Sequence, residues 1–427
     1  MQTQIIEQFL NTPQGKEAND ILRTCVHCGF CTATCPTYQL MGDELDGPRG
    51  RIYLIKQILE GNKVSEKTQT HLDRCLTCRS CETTCPSGVQ YGRLIDIGRE
   101  LVEKKVVRDP VSRLKRYALR KIIPYPQRYS ALLAIAYLIK PVLPASLKQK
   151  IPDKSDVQKP GVQKSGTQQT LLNDKPVRKM LLLEGCVQSV STPATNISAK
   201  NIFQKLGIDL FSVPSAGCCG AVSHHLSAQE EGLDFMRNNI DAWWPYLERK
   251  EGEEKIIEAI VISASGCSAQ VKEYGHLLRH DKNYARKAQY VSERAKDISE
   301  ILRDEIHWDN KINCSGKKIA FHSPCTLQHG QKLDGVVETI LQYAGFELTQ
   351  VNDAHLCCGS AGTYSIMQPE LSQKLLHNKL DALQKHSPEM IVTANIGCQM
   401  HLQSSSSLPV KHWIELLDEL IPSPAIF

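Results

Sequence analysis

Aromatic residues make up only 6% of the 427-residue chain, and no apolar run is longer than the nine residues from Ala131 to Ile139. A bilayer-spanning helix needs roughly 20 such residues, so a membrane-spanning protein is excluded. The opening stretch, MQTQIIEQFLNTPQGKE, has neither the basic start nor the apolar run of a secretory signal. An oxidising compartment is therefore not expected. Three phosphate- or substrate-handling signatures are also missing: G-x-G-x-x-G after a strand, a Walker loop and a nucleophile elbow. The chain is expected to carry no flavin or nicotinamide of its own, and no nucleic-acid motif is present. Disorder is excluded as the overall state, because 41% hydrophobic and 23% charged residues are ordinary for packed domains.

Cysteine is present in excess. The chain has 17, an odd number that cannot all pair within one molecule. In a reducing compartment, clustered thiols point to metal ligands or redox groups before disulfides.

The net charge of +5 is uneven. From Arg99 to Lys150 thirteen Lys or Arg oppose Glu100, Glu103 and Asp109, a local net of +10. This stretch also holds Tyr117, Tyr125, Tyr129, Tyr137 and the apolar ALLAIAYLI. It reads as a helical connector with solvated lysines, or as a basic amphipathic surface that docks on a membrane or partner.

Residues 151–176 are polar, rich in Lys, Gln, Pro and Gly, and lack apolar periodicity. They read as a flexible linker. Eight cysteines precede it and nine follow. In the first half Cys25, Cys28, Cys31 and Cys35 recur fifty residues later as Cys75, Cys78, Cys81 and Cys85, and Pro36 and Pro86 follow the two sets. In the second half Cys186, Cys218 and Cys219 recur 139 residues on as Cys325, Cys357 and Cys358, with Gly220 and Gly359 completing two Cys-Cys-Gly (CCG) triplets. Each repeat closes on a further cysteine, Cys267 and Cys398, at an offset of 131.

The expected fold is mixed α+β and α/β. A helical, two-cluster ferredoxin-like domain spans 1–110 and a basic helical connector 111–150. After the linker come two open α/β cysteine-rich units, 177–310 and 311–427. Within them KMLLLEGC, GIDLFSV and IEAIVISASGC read as strands, as do KKIAFHSPC, GFELTQV and PEMIVTANIGC. Helices are expected at ATNISAKNIFQKLG, 226–250, DGVVETILQYAG and 368–386. Strands alternating with helices imply parallel sheets, whose ligands bind beyond the carboxyl ends of the strands. The repeat cysteines fall there.

C-x2-C-x2-C-x3-C-P, twice over, is the spacing of two-cluster ferredoxins. Three cysteines wrap one cubane and the fourth completes the other. Cys25, Cys28, Cys31 and Cys85 are thus expected to hold one [4Fe–4S] cluster, and Cys75, Cys78, Cys81 and Cys35 a second. Structural zinc, usually held by two separated pairs, fits this spacing poorly. Gly29 and Ser80 would let backbone N–H groups approach the sulfurs. Arg49 and Arg51, at the start of RIYLIKQILEGN, read as a docking point for a partner or carboxylate, or as a solvated helix start.

The four cysteines of each CCG repeat (Cys186, Cys218, Cys219 and Cys267; Cys325, Cys357, Cys358 and Cys398) match the ligand count of a further cluster. A thiol redox site, a structural metal or a degenerate remnant are the alternatives. His225 and His322 are candidate ligands or hydrogen-bond donors, though a lone histidine is more often neither. Tyr364 is placed to orient a quinone or a cluster sulfur, and Cys314 has no repeat counterpart.

DGPRGRIYLIK, CLTCRSCETTCPSGVQYGRLIDIGR, the two CCG repeats and CCGSAGTYSI together resemble the iron–sulfur subunits of bacterial glycolate oxidase, over residues 20–420. The resemblance implies an oxidoreductase complex whose flavin-containing subunits oxidise glycolate to glyoxylate and also act on D-lactate. This chain would carry electrons, bind no substrate, and deliver to a quinone or other membrane acceptor. It would sit in the cytoplasm, peripherally on the cytoplasmic face of the inner membrane. Wider relatives imply alternatives: the iron–sulfur subunit of a lactate or glycerol-3-phosphate dehydrogenase, or a heterodisulfide-reductase-like thiol/disulfide enzyme. In the heterodisulfide group the CCG domain ends in Cys-x-x-Cys. Here Ala264 and Asn395 stand three residues before Cys267 and Cys398, and Gln270 and His401 three after, which argues against that chemistry.

Overall fold

The computed structural model describes residues 1–142, 178–248, 257–305 and 316–420. The linker 151–176 and Cys314 lie outside the described residues. Helices build the first part of the chain. Pro48–Leu59 and Tyr91–Lys105 form its centre, burying Ile52, Ile55, Ile58 and Leu59 against Leu94, Ile95 and Val102 at helical spacing. Gly98 lets the two helices touch, since a Cβ there would lie 2.6 Å from Ile55 Cγ1. Arg51, at the start of Pro48–Leu59, is not solvated. It is buried beside the buried Asp46, which also pairs with Arg74 at 2.8 Å and His71 at 3.0 Å. The carboxylate that Arg51 meets belongs to its own chain. Arg49 is half-exposed and binds Glu44 at 2.6 Å.

The connector forms two helices, Pro110–Ile122 and Pro126–Ile139. Arg116 reaches Asp73 of the ferredoxin-like part at 3.2 Å. Arg120 and Lys121 bind Glu231 of the first repeat, and Tyr129 Oη lies 3.1 Å from Ser191 Oγ. The outer side leaves Val111, Leu114, Ile135 and Leu138 exposed. No helix among the described residues is long and apolar enough to cross a membrane.

Each repeat is a four-stranded parallel sheet. Strands β1 (Arg178–Leu183), β2 (Ile208–Ser212), β3 (Ile260–Ile262) and β4 (Ala295–Asp297) lie in the order β2-β1-β3-β4. Strands β5 (Lys318–His322), β6 (Glu347–Leu348), β7 (Met390–Thr393) and β8 (Val410–His412) lie in the order β6-β5-β7-β8. The direction of winding reverses between β1 and β3, and between β5 and β7, so each crevice opens at the ends where the cysteines follow. Two expectations need correction. A fourth strand, AKD or VKH, closes each sheet; three residues with a charge among them at an edge give no apolar run to read. β6 is also only two residues long.

One face of each sheet joins a common core, in which Met180 and Leu182 meet the same cluster as Ile319, Phe321 and Trp413. The repeats are thereby one body. Helix Pro193–Lys205 packs on Trp413–Leu420, and Ile298–Glu305 on Val336–Tyr343, a pseudo-twofold exchange. Ser265 N donates to Ala394 O at 3.1 Å across the seam.

Candidate functional site: two crossed thiol sites and two repeat sites

The two ferredoxin-type loops have the same backbone. His27 (φ 59°) and Gly29 (φ 86°) correspond to Thr77 (φ 54°) and Arg79 (φ 60°), fifty residues on. This left-handed kinking turns successive backbone N–H groups towards one side. Thr77 N donates to Cys75 Sγ at 3.4 Å, and the Ser80 amide donates to Cys78. Arg99 pins the second loop from beneath by donating to Leu72 O, Cys75 O and Thr77 Oγ1.

Cys25, Cys28, Cys31 and Cys85 line one cavity. Cys35, Cys75, Cys78 and Cys81 line another. Cys81 also borders the first. The fourth cysteine of each motif has crossed to the other motif's cavity. Burial and the neighbouring thiols of Cys25 and Cys85 push the Cys31 thiol up to about 11. Such a thiol ionises only when a metal competes for its proton, and the donor set suits an iron–sulfur cubane. Tyr91, which the sequence reading did not single out, donates from Oη to Cys75 Sγ at 3.6 Å and walls both cavities. Its only sequence signal was its closeness to the second motif.

In each repeat four thiols form a chain. Cys186 and Cys218 are 3.6 Å apart, and hydrogen bonding continues through Cys219 to Cys267. Cys325, Cys357, Cys358 and Cys398 are linked in the same order. Gly220 (φ +88°) and Gly359 (φ +89°) make the turn possible. A Cβ at either would strike a helix carbonyl, Gly232 O at 2.7 Å or Ser372 O at 2.6 Å. Their amides donate back to Cys218 and Cys357.

The surroundings of the two sites differ. In the second repeat His322 is 1% exposed, and both its ring nitrogens lack a hydrogen-bond partner. A ligand atom of His322 and the sulfurs of Cys358 and Cys398 lie within 4.8 Å of one another. Asn395 Nδ2 donates to Cys398 Sγ at 3.6 Å. Lys379, 3% exposed, donates to Asp353 O at 2.9 Å; burial lowers its pKa, and Cys325, Cys358 and Cys357 oppose that shift. In the first repeat Asn239 donates to Cys218 O and to Tyr274 Oη, while Tyr274 donates to Cys219 O.

Cys78 packs into the same cluster as Cys325, Cys357 and Tyr364, so the second ferredoxin-type site abuts the second repeat's thiols. Tyr364 Oη donates to Arg74 O at 3.1 Å and so braces this seam. Thr83 Oγ1 meets His329 Nδ1 across it at 2.9 Å. His225 is exposed and opens onto the cleft between Tyr91–Lys105 and the first repeat.

Two interlocked thiol cages followed by a pair of four-thiol α/β repeats define an iron–sulfur electron-transfer subunit. Residues 21–89 match the 4Fe-4S dicluster domain family, and residues 180–272 and 319–403 each match the cysteine-rich domain family. The chain is 53% identical to the glycolate oxidase iron-sulfur subunit of Escherichia coli (strain K12), over 99% of both chains. It is 29% identical to the probable glycolate oxidase iron-sulfur subunit of Bacillus subtilis (strain 168), over 90% of this chain and 88% of that one. It is 22% identical to a fumarate reductase (CoM/CoB) subunit of Methanothermobacter marburgensis, over 95% of this chain and 74% of that one. The chain belongs to the family of glycolate oxidase iron–sulfur subunits.

Proposed function

We propose that this chain accepts electrons from a flavin-containing subunit that oxidises glycolate to glyoxylate, and D-lactate similarly, and passes them towards a quinone-type acceptor at the membrane. The observation that carries the relay is the packing of Cys78 against Cys325 and Cys357. Cys25, Cys28, Cys31 and Cys85 would hold one [4Fe–4S] cluster, and Cys75, Cys78, Cys81 and Cys35 the other. Bound there, the clusters supply one-electron transfer. The protein's own part is to fix those thiols, exclude water and aim N–H and O–H donors at sulfur, which tunes the potential.

The sites face different ways. Cys28 is exposed between Val26 and Phe30, themselves 67% and 61% exposed. This apolar rim suits the flavin subunit. The second site faces the second repeat, whose Cys325, Cys357, Cys358, Cys398 and His322 are the best-equipped residues for a further metal centre. The orphaned nitrogens of His322 support that choice, because buried polar groups ordinarily have partners. The exposed apolar side of Pro110–Ile139, set in the basic segment, supports a peripheral position on the cytoplasmic face of an anionic membrane.

Replacing Cys28 or Cys78 by Ser tests the assignment in the assembled complex. Each variant is expected to lose about 4 irons per chain and turnover with a quinone analogue. Full turnover at unchanged iron content overturns it.

A further inference from the structure

We propose that the cleft between the ferredoxin-like domain and the first repeat holds a divalent transition-metal ion of the zinc class, on Asp96, His224 and His225. The site uses no cysteine. Asp96 comes from helix Tyr91–Lys105, and the two histidines close the short helix Ala221–His225 that follows Cys218-Cys219-Gly220.

One ligand atom from each of the three residues lies within 4.8 Å of the other two. The imidazoles stand edge to face, with ring centroids 5.6 Å apart. His224 is only 5% exposed, yet its Nδ1 is buried without a hydrogen-bond partner. Buried imidazole nitrogens are normally satisfied, so this one points to a missing ligand.

The charges of the cleft single out Asp96. Glu17 pairs with Arg93, His276 and Arg279. Glu273 pairs with Arg79 and Arg93, and Glu100 with Lys104. Glu230 and Asp281 both pair with Arg237. Among the described acids lining the cleft, Asp96 alone has no cation within ion-pair distance. The arginines there are already matched, and one carboxylate remains beside two imidazoles. That donor set prefers a zinc-class or iron-class ion to magnesium or calcium, which favour all-oxygen shells. Three protein ligands would leave room for water. An ion here ties the first repeat's cysteine turn to the helix beneath the ferredoxin-type sites.

The test uses the iron-loaded full-length protein, freed of loosely held metal and given zinc. The expected result is one bound zinc whose X-ray absorption shows nitrogen and oxygen at about 2.0–2.1 Å with imidazole scattering, and no sulfur shell near about 2.3 Å. Asp96→Asn and His225→Ala break no hydrogen bond or ion pair among the described residues, so both are expected to keep their full iron. Both should lose that zinc, and with it the rise in thermal midpoint that zinc gives the parent protein. The proposal is overturned if the bound zinc has a sulfur shell, if no zinc is retained, or if both variants keep the nitrogen–oxygen signal.

Discussion

Where the first repeat ends its central strand on Leu183, the second ends on His322. Where the first places Asn239 in its long helix, the second places the buried Lys379. Ala264 in one becomes Asn395 in the other. The backbones and the four thiols correspond, yet the atoms around the sulfurs do not. In the first repeat a neutral network of Asn239 and Tyr274 holds the cysteine carbonyls, and an apolar side chain closes the floor. In the second, Asn395 donates to Cys398 Sγ, a ligand atom of His322 lies within 4.8 Å of the Cys358 and Cys398 sulfurs, and the buried Lys379 donates to the carbonyls of Asp353 and Ala354 nearby. A buried lysine is costly unless negative charge faces it, and a metal–thiolate centre, if the second repeat holds the one proposed above, would supply such charge. The two repeats share four thiols and differ in what surrounds them, and among the described residues it is the second whose Cys325 and Cys357 share a packed cluster with Cys78 of a ferredoxin-type site.

Exchanging the distinguishing side chains should give the largest effects. Lys379→Met removes the buried cation and is expected to shift the second repeat's signal to lower potential, or empty the site, in a potentiometric paramagnetic-resonance titration. Asn239→Leu, at the matching place, should leave metal and potential unchanged. It instead destabilises the fold by about 1–3 kcal/mol, because Gly217 N and Cys218 O lose a buried partner. Equal potential shifts from both variants would erase the distinction.

A smaller effect separates the ends of the two edge strands. Burial holds the carboxyl of Asp297, at the end of β4, up at about 6, and the imidazole of His412, at the end of β8, down at about 4. In the folded protein Asp297 keeps a proton it would lose on unfolding, so its contribution to stability falls as pH rises from 3.8 to about 6. His412 behaves oppositely. It lacks a proton that the unfolded chain takes up below 6.5, so its contribution is lost as pH falls towards about 4. The two trends offset each other. His412→Gln should leave stability declining from about pH 5 to 6, and Asp297→Asn should leave it rising over that window. Thermal midpoints across this range check the signs, and parallel trends in the two variants would refute them.

Much of this was legible in the sequence. Spacing alone carried both ferredoxin-type motifs, and the doubled cysteine pattern with its apolar runs carried the pair of parallel sheets. Three-residue edge strands such as Ala295–Asp297 escaped, because neighbours and not local pattern make them strands. Lys379 carries a signal of its own in the sequence. It lies on the stripe of Leu371, Leu375, Leu376, Leu380 and Leu383, where a charge is out of place. The packing of Cys78 on Cys325 joins segments nearly 250 residues apart, and no periodicity reports it. Arg51 left two readings open, and only the buried Asp46 decided between them.

Iron and labile sulfide per chain, measured anaerobically in the parent protein and in Cys219→Ser and Cys358→Ser, test the account most directly. It predicts clearly more than the about 8 irons of two cubanes, with the excess lost in Cys358→Ser and kept in Cys219→Ser. About 8 irons in all three proteins, or loss of the excess from Cys219→Ser alone, would contradict it.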